Sequence, residues 1–441
     1  MIALTHVCRV WREVFTSRPS LWTRLDPNDM DGNKTRVYLE RSKSSPVSVS
    51  FYRHCKMYLH DPIFQIIPKV IGRLGCLFIE GTPEYMQNVI AHLSRPAPLL
   101  EDLSIAAGSA FTPHRSPVLA STLFDGDLSS LRKLYLASID TELPWRNMVN
   151  LTTLTLRYTP PGKISVTRFL DFLESAPHLC EVDLHFAIPT SGAQGGRLVS
   201  LKCLKRMAIG DPGPSSVLLD HLLIPVGAEL ILEVDLPNSL VGDLLPRSLD
   251  NLRNLSNFTT AKLHNNELHL FMSFSGPNGR LSVTPRGFQV NETSLLLESL
   301  VQLDTSKTER LRIDYCNPLS RDIVHRAFFP LEELRILMLY ECNRTHIFIR
   351  ALHPSASSPD VMVCPKLKEL VLVLCDGEEV FDMKVVVRMA KARASRGKKL
   401  ETVRIVDGRD EPDPDGVLEL LRKHVGHVEY GPWVGAVDDD W

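Results

Sequence analysis

The sequence has no strong charge bias and no long apolar run. Its 50 Lys and Arg residues balance 52 Asp and Glu residues, so no basic field favours nucleic acid or an anionic membrane as a partner. No apolar segment approaches the roughly 18 residues that a membrane-spanning helix needs. Arg9 and Arg12 interrupt the start of the chain, which argues against a signal peptide. We therefore expect neither nucleic acid nor a membrane among the partners.

Paired cysteine motifs are also missing. The nine cysteines are odd in number and scattered, and none belongs to a Cys-x-x-Cys pair, which argues against a disulfide framework and a zinc site. His264 and His269 are five residues apart, which is the wrong spacing for a helical zinc pair. These patterns favour a reducing compartment. We expect an intracellular protein, cytoplasmic or nuclear, without a metal or a cofactor.

Motifs of enzymes are absent as well. The sequence contains no Gly-x-Ser-x-Gly elbow and no kinase signature set. The glycine-rich segment 192–197 lacks the Gly-Lys-Ser/Thr of a phosphate loop. The acidic segment 411–416 imitates the start of a calcium loop, but the twelfth position is Arg422 and not a bidentate carboxylate. The sequence therefore predicts a protein without catalytic residues.

A short phrase, Leu-x-x-Leu-x-Leu, recurs along the chain. Alternation at its last two positions predicts a short strand with one buried face. The spacing between copies lies in the range of leucine-rich repeats, and the longer units leave room for a helix. Clear copies are Leu131–Leu134–Leu136, Leu151–Leu154–Leu156, Leu179–Val182–Leu184, Leu204–Met207–Ile209, Leu334–Leu337–Leu339, Leu367–Leu370–Leu372 and Leu400–Val403–Ile405. Weaker copies include Leu74–Leu77–Ile79, Leu100–Leu103–Ile105 and Leu311–Ile313.

The segments between the copies have the pattern of amphipathic helices. Helices are predicted over 34–44, 83–93, 168–175 and 382–392, each before a strand. Each unit alone has one uncovered apolar face, so the units must stack on one another. The predicted fold class is α/β, a leucine-rich-repeat-like solenoid of parallel strands and helices. In that stack Leu134, Leu154, Val182 and Met207 are predicted to lie in one parallel sheet. Their partners Leu136, Leu156, Leu184 and Ile209 are predicted to lie in register and to share one buried layer.

The repeat pattern is weakest between Gly210 and Lys307. Residues 231–236 and 269–274 have the pattern of strands, and residues 275–279 predict a tight hairpin turn. We interpret this region as repeats that carry an additional hairpin.

Three cysteines occupy the Asn/Cys position of the repeat phrase. Cys316, Cys342 and Cys375 each follow a strand at the point where a side chain turns inward, so we expect buried thiols without a metal or a disulfide. The alternative is a catalytic thiol, which needs an exposed setting and a nearby base.

The first 26 residues form a separate apolar pattern. Leu4, Val7, Cys8, Trp11 and Val14 share one face of a predicted short helix, which segment 17–20 ends through its proline. A second apolar cluster follows in 21–25. Such a segment is too short to build its own core, so it either folds back onto the chain or presents its face to a partner. Internal packing of both tryptophans is one interpretation, and partner contact is the other.

This segment resembles the C-terminal half of an F-box, as found in fungal F-box proteins. The matching residues lie in 4–9, in Trp11–Arg12 and in 18–22. The resemblance implies docking on a Skp-type adaptor of a cullin–RING ubiquitin ligase, while the rest of the chain holds a protein substrate. The family's motif opens with a Leu-Pro-x-Glu-like helix, which the expected pattern places upstream of Met1. The candidate adaptor-binding residues are Leu4, Val7, Cys8, Trp11, Leu21 and Trp22.

Two functions therefore remain open at the level of sequence. The first is a substrate-recognition subunit of a ubiquitin ligase that holds its substrate on the concave strand face. The second is an interaction scaffold of the same fold without adaptor binding. The predicted domains are a partial F-box segment over 1–33, the repeat solenoid over 34–430 and an acidic tail over 431–441.

Overall fold

The alternating leucines of the repeat phrase produce a ladder of short strands. The computed structural model describes residues 6–26, 32–53, 62–108, 117–120, 122–141, 147–158, 165–187, 189, 196–210, 215–235, 241–246, 248–266, 270–286, 293–353, 362–374, 381–407 and 416–431. By their internal contacts the residues form two compact units, Met1–Leu223 and Ile224–Trp441.

The first unit contains helices α1 to α6 and strands β1 to β12. Its helices are α1 (Arg9–Ser17), α2 (Gly32–Arg41), α3 (Pro62–Val70), α4 (Pro83–Ala91), α5 (Val166–Ser175) and α6 (Ser216–Leu219). Its strands are β1 (Arg24–Leu25), β2 (Val47–Arg53), β3 (Leu74–Gly81), β4 (Asp102–Ala107), β5 (Val118–Leu119), β6 (Lys133–Ala137), β7 (Asp140–Thr141), β8 (Thr153–Arg157), β9 (Glu181–His185), β10 (Val199–Ser200), β11 (Arg206–Gly210) and β12 (Leu222–Leu223).

The main sheet of the first unit is parallel. Its strands pair in the order β1–β2–β3–β4–β6–β8–β9–β11. Two short parallel pairs, β5–β7 and β10–β12, lie in the connecting segments. This is the arrangement expected when each repeat contributes one strand and returns through a crossover.

The second unit contains helices α7 to α12 and strands β13 to β21. Its helices are α7 (Val241–Leu244), α8 (Thr293–Gln302), α9 (Arg321–Phe328), α10 (Thr345–Ala351), α11 (Lys384–Ala394) and α12 (Val417–Arg422). Its strands are β13 (Glu229–Asp235), β14 (Thr260–Asn265), β15 (Leu270–Gly276), β16 (Gly279–Arg286), β17 (Arg310–Asp314), β18 (Ile336–Tyr340), β19 (Glu369–Leu374), β20 (Thr402–Asp407) and β21 (His427–Gly431).

The second unit interrupts its parallel ladder with antiparallel pairs. Strand β13 pairs with β16 in parallel, β16 with β15 and β15 with β14 run antiparallel, and β14 pairs with β17 in parallel. From β17 to β21 every pair is parallel. The hairpin predicted at 275–279 is confirmed, because Gly276 faces Gly279 across the β15–β16 pair.

The predicted register of the repeats is confirmed. Leu134 aligns with Leu154, Leu154 with Val182, and Val182 with Met207. The predicted buried layer is also present, because Leu136, Leu156, Leu184 and Ile209 lie in register and are at most 2% exposed. Every residue of the Leu134 row is at most 1% exposed. In the second unit the corresponding row is Leu311, Leu337, Leu370, Val403 and Val428. The fold is therefore α/β with a mostly parallel ladder of repeat strands.

The predicted helices are present with shifted ends. They correspond to α2, α4, α5 and α11. Capping explains two of the starts, since the side chain of Thr82 accepts a hydrogen bond from the Tyr85 amide and that of Ser165 from the Arg168 amide. Among the described residues no helix is long and apolar enough to cross a membrane.

Several strands are followed directly by a residue with left-handed backbone. In the first unit these are Ser138, Tyr158 and Phe186, with φ of 56°, 53° and 49°. Each donates its amide hydrogen to the carbonyl at the end of the next strand, at 2.6 to 2.8 Å. The left-handed conformation is unfavourable for a residue with a side chain, so the added ladder hydrogen bond compensates for it.

Candidate protein-binding surfaces

The N-terminal segment contains a short, regular helix. Helix α1 begins after Cys8, whose Sγ accepts a hydrogen bond from the Trp11 amide at 3.5 Å. The Nε of Arg9 lies 3.0 Å from Oε1 of Glu13, one turn later, and such a pair supports a helix. The helix ends at Ser17, because the next residue precedes Pro19 and has extended backbone.

The apolar face of α1 is uncovered. Val10, Trp11 and Val14 are 66%, 47% and 46% exposed, and their spacing places them on one side of the helix. Val7, which precedes the helix, is 63% exposed. Trp11 stacks on Phe15 at a ring-centroid distance of 5.6 Å. None of the α1 residues is buried. Single exposed apolar side chains are ordinary on a protein surface, whereas a contiguous stripe marks an interaction site.

Trp22 attaches this segment to the first unit. Its side chain is fully buried, and its Nε1 donates a hydrogen bond to the carbonyl of Phe15 at 2.6 Å. Its ring packs edge-on against Tyr38 of α2 at 4.9 Å, and the Arg41 guanidinium lies 4.4 Å from its centroid. Strand β1 then pairs with β2 at the edge of the sheet. The segment is therefore held at its C-terminal end.

The candidate adaptor-binding residues divide into different environments. Val7, Cys8 and Trp11 are exposed, Leu21 is half-buried and Trp22 is buried. Leu4 lies outside the described residues. The interpretation that both tryptophans are internal packing is confirmed for Trp22 and wrong for Trp11. Val7 and Cys8 were predicted within the helix, but the helix begins at Arg9 because Cys8 is its N-cap.

The strand residues between the buried leucines form a second face of the sheet. In the first unit one row of this face is Phe78, Ser104, Tyr135, Thr155 and Asp183, and the next row is Glu80, Ala106, Ala137, Arg157 and His185. A cleft of about 320 Å³ lies on this face between Phe78 and Tyr158. Small side chains form its floor and aromatic rings form its walls.

In the second unit a buried carboxylate organises the face between the buried leucines of that unit's own strands. The side chain of Asp314 is only 2% exposed and lies 2.8 Å from Nε of Arg312, 3.3 Å from Nδ1 of His264 and 3.5 Å from Nζ of Lys262. Burial raises the pKa of Asp314, but the hydrogen bonds from His264 and Arg312 outweigh burial and hold the pKa below its usual range. The carboxylate is therefore a fixed negative charge that orders the cationic side chains of Arg312 and Lys262 and the imidazole of His264.

An apolar cluster lies beside this network. It consists of Met338, Val371 and Val373, which are buried, with Tyr340 and Val406 packed against them. The Arg312 guanidinium lies 5.3 Å from the Tyr340 ring centroid. Aromatic and arginine side chains beside a dry apolar core are the usual composition of a protein interface.

The repeat cysteines lie where their position predicted. Cys316 and Cys342 are buried, whereas Cys375 lies outside the described residues. The Cys342 thiol donates to the carbonyls of Ile313 and Tyr340 at 3.2 and 3.5 Å, so it satisfies backbone acceptors. Burial raises the pKa of the Cys316 thiol. A buried thiol with a raised pKa is a poor nucleophile, and the absence of catalysis stays a prediction.

Sequence reasoning missed the cleft and the Asp314 network. Both consist of residues that are far apart in sequence and that the register brings onto one face. The residue types between the leucines of successive repeat phrases could have indicated both features. Small residues at 104, 106 and 137 adjoin aromatic residues at 78 and 135, and charges recur at 262, 312 and 314.

Comparison with known proteins assigns no family. No protein-family model matches the sequence, and no curated protein matches it. Among solved structures, the chain is similar to one in the crystal structure of the Rad7 and Elc1 complex in yeast, with 13% identity and a TM-score of 0.29, over 93% of this chain and 87% of that chain. A likeness at this identity and TM-score establishes neither a shared family nor a shared function.

Proposed function

We propose that this protein is a non-catalytic substrate-recognition subunit of a cullin–RING ubiquitin ligase. In this proposal the helix α1 contacts a Skp-type adaptor, and a leucine-rich-repeat-like solenoid holds a protein substrate. The observation that carries the proposal is the uncovered apolar stripe of α1, formed by Val10, Trp11 and Val14, with the exposed Val7 just before the helix. The segment that contains it resembles the C-terminal half of an F-box.

The anchoring of the segment supports this role. Because Trp22 is buried against Tyr38, and because β1 extends the sheet, the helix is tied to the repeats at one end. A tethered helix loses less conformational entropy on binding than a free one does, which leaves more of its contact energy for affinity. Trp11 is the largest side chain of the stripe, and interface energy concentrates in residues of this kind.

The repeats supply surfaces for the substrate. The second face of the first unit carries a cleft, and that of the second unit carries the Asp314 network beside an apolar cluster. Parallel repeat ladders present such side chains in regular rows, which suits recognition of an extended protein segment.

Binding of the purified 441-residue chain to a purified Skp-type adaptor tests the proposal. Isothermal titration calorimetry should detect a complex, and Trp11→Ala should weaken it by about 2–4 kcal/mol. Val14→Ala should weaken it less. Leu99→Ala is the matched control, because Leu99 is similarly exposed at 44% but lies outside the N-terminal segment.

Two outcomes contradict the ligase role. The first is no binding of the unaltered chain to the adaptor, and the second is equal losses for Trp11→Ala and Leu99→Ala. In either case the scaffold function, in which the repeats bind proteins without the adaptor, replaces it. Melting temperatures of all variants, measured in parallel, separate lost contacts from lost folding.

A further inference from the structure

The cleft on the second face of the first unit is a consequence of strand register. Ser104 lies between Phe78 and Tyr135 in one row, and Ala106 lies between Glu80 and Ala137 in the next. The small side chains of Ser104, Ala106 and Ala137 leave a depression beside the larger side chains of Phe78, Tyr135 and Glu80. Its volume of about 320 Å³ is at the low end for small-molecule sites and suits a single long side chain.

Aromatic rings form two sides of the cleft. Phe78 and Tyr135 rise from β3 and β6, and Tyr158, at the left-handed position after β8, also lines the cleft. Tyr52 supports Phe78 at 4.8 Å, and Phe186 supports Tyr158 at 5.3 Å. These contacts fix the walls before anything binds, so little rotamer entropy is lost on occupation.

The charge at the cleft is negative. Glu80 lines one end, is half-buried, and its carboxylate makes no ion pair or hydrogen bond among the described residues. The nearest cationic residue in the row of Glu80 is Arg157. Arg157 forms an ion pair with Asp183, because its Nη2 lies 2.9 Å from Oδ2 of Asp183. A half-buried carboxylate beside aromatic faces attracts a cation that tolerates partial desolvation.

We infer that this cleft binds the cationic side chain of an arginine or lysine in an extended segment of a protein partner. The aliphatic stem lies over Ala106 and Ala137, the cationic group meets the rings of Phe78 and Tyr135, and Glu80 pairs with the charge. The inference deepens the proposed function by giving one chemical property of the substrate. The site itself does not depend on adaptor binding.

Short peptides test the site with the full chain and no adaptor. The probe is an acetylated, amidated Gly-Ser-X-Ser-Gly peptide in which X is arginine, lysine, citrulline or norleucine. Calorimetry or saturation-transfer NMR at millimolar peptide should detect saturable binding for arginine and lysine. Citrulline keeps the shape of arginine without its charge, so it should bind about tenfold more weakly or not at all.

Variants locate the binding. Glu80→Gln should weaken the arginine peptide about five- to tenfold, since it removes the charge but keeps the shape. Glu181→Gln is the matched control, because Glu181 is an exposed carboxylate on the same face at β9. Ala137→Leu should abolish binding by filling the floor, and Tyr158→Ala should weaken it. Circular dichroism and melting temperature verify that each variant folds.

Three results overturn the inference. They are no saturable binding of either cationic peptide, equal binding of arginine and citrulline peptides, and equal losses for Glu80→Gln and Glu181→Gln. Because the adaptor is absent from this experiment, its failure is distinguishable from failure of the ligase role. If the chain binds the peptides but not the adaptor, the cation-binding cleft stands and the protein is an interaction scaffold without a ligase role.

Discussion

Replacing Trp22 with alanine tests whether this residue is the anchor of the N-terminal segment. The fully buried indole covers about 200 Å² of surface, which at about 25 cal/mol per Å² corresponds to about 5 kcal/mol as an upper value. Large-to-small core substitutions of tryptophan cost about 3–5 kcal/mol. We therefore expect Trp22→Ala to destabilise the packing of α2 and β1 by about 3–5 kcal/mol.

Hydrogen exchange followed by mass spectrometry measures this effect locally. A loss of about 3 kcal/mol accelerates exchange of the α2 amides, over Gly32–Arg41, by about 100-fold if they open locally. Trp22→Phe keeps a ring against Tyr38 but loses the 2.6 Å hydrogen bond to Phe15, so its cost should be about 1–2 kcal/mol.

Trp11→Ala is the control for this prediction. Trp11 is about half exposed, and a substitution away from the core changes stability by less than about 1 kcal/mol. Unchanged α2 exchange in Trp22→Ala refutes the anchoring argument, and so does an equal acceleration in Trp11→Ala.

Two further predictions concern buried groups of the second unit. Alkylation of the native protein should label exposed Cys8 and Cys203 rapidly and leave Cys316 and Cys364 unmodified, since burial raises the pKa of Cys364 to about 12; fast labelling of either buried thiol contradicts this. Asp314→Asn should cost about 3 kcal/mol at neutral pH, because Arg312 and Lys262 lose their ionic partner and His264 loses its carboxylate contact. The lowered pKa of Asp314 stabilises the fold above about pH 4, so the difference between variant and parent in urea titrations should shrink as the pH falls below that value. A difference that grows towards acid is the opposite result.

The repeat strands were predictable because a local pattern determines them. Alternating leucines such as Leu134 and Leu136 must face one side of a strand. When successive repeats carry the same Leu-x-x-Leu-x-Leu phrase, their strands align so that equivalent leucines lie side by side. The pairing of β13 with β16 was not predictable, since it depends on how the hairpin strands arrange themselves. The left-handed strand ends at Ser138 and Tyr158 also carry no glycine that would signal them.

The candidate binding residues were predictable only in part. Helical spacing placed Val7, Trp11 and Val14 on one face, but periodicity does not show whether that face is covered. The sequence alone therefore did not show which of Trp11 and Trp22 is buried. The contacts of Trp22 with Tyr38 and Arg41 distinguish the two residues. The role of Glu80 depends on the side chains beside it on neighbouring strands, and these residues are distant from Glu80 in the sequence.

The pairing of β13 with β16 has a consequence for how the second unit folds. A simple repeat ladder can grow from any nucleus by adding the adjacent strand. Strand β13 instead finds its partner only after the chain has passed through β14 and β15 and returned. Closing this longer loop costs entropy before any contact is gained. The antiparallel β14–β15–β16 meander should therefore form first, with β13 joining late, and slow folding phases should respond to substitutions at Gly276 and Gly279 more than to changes in β18 or β19.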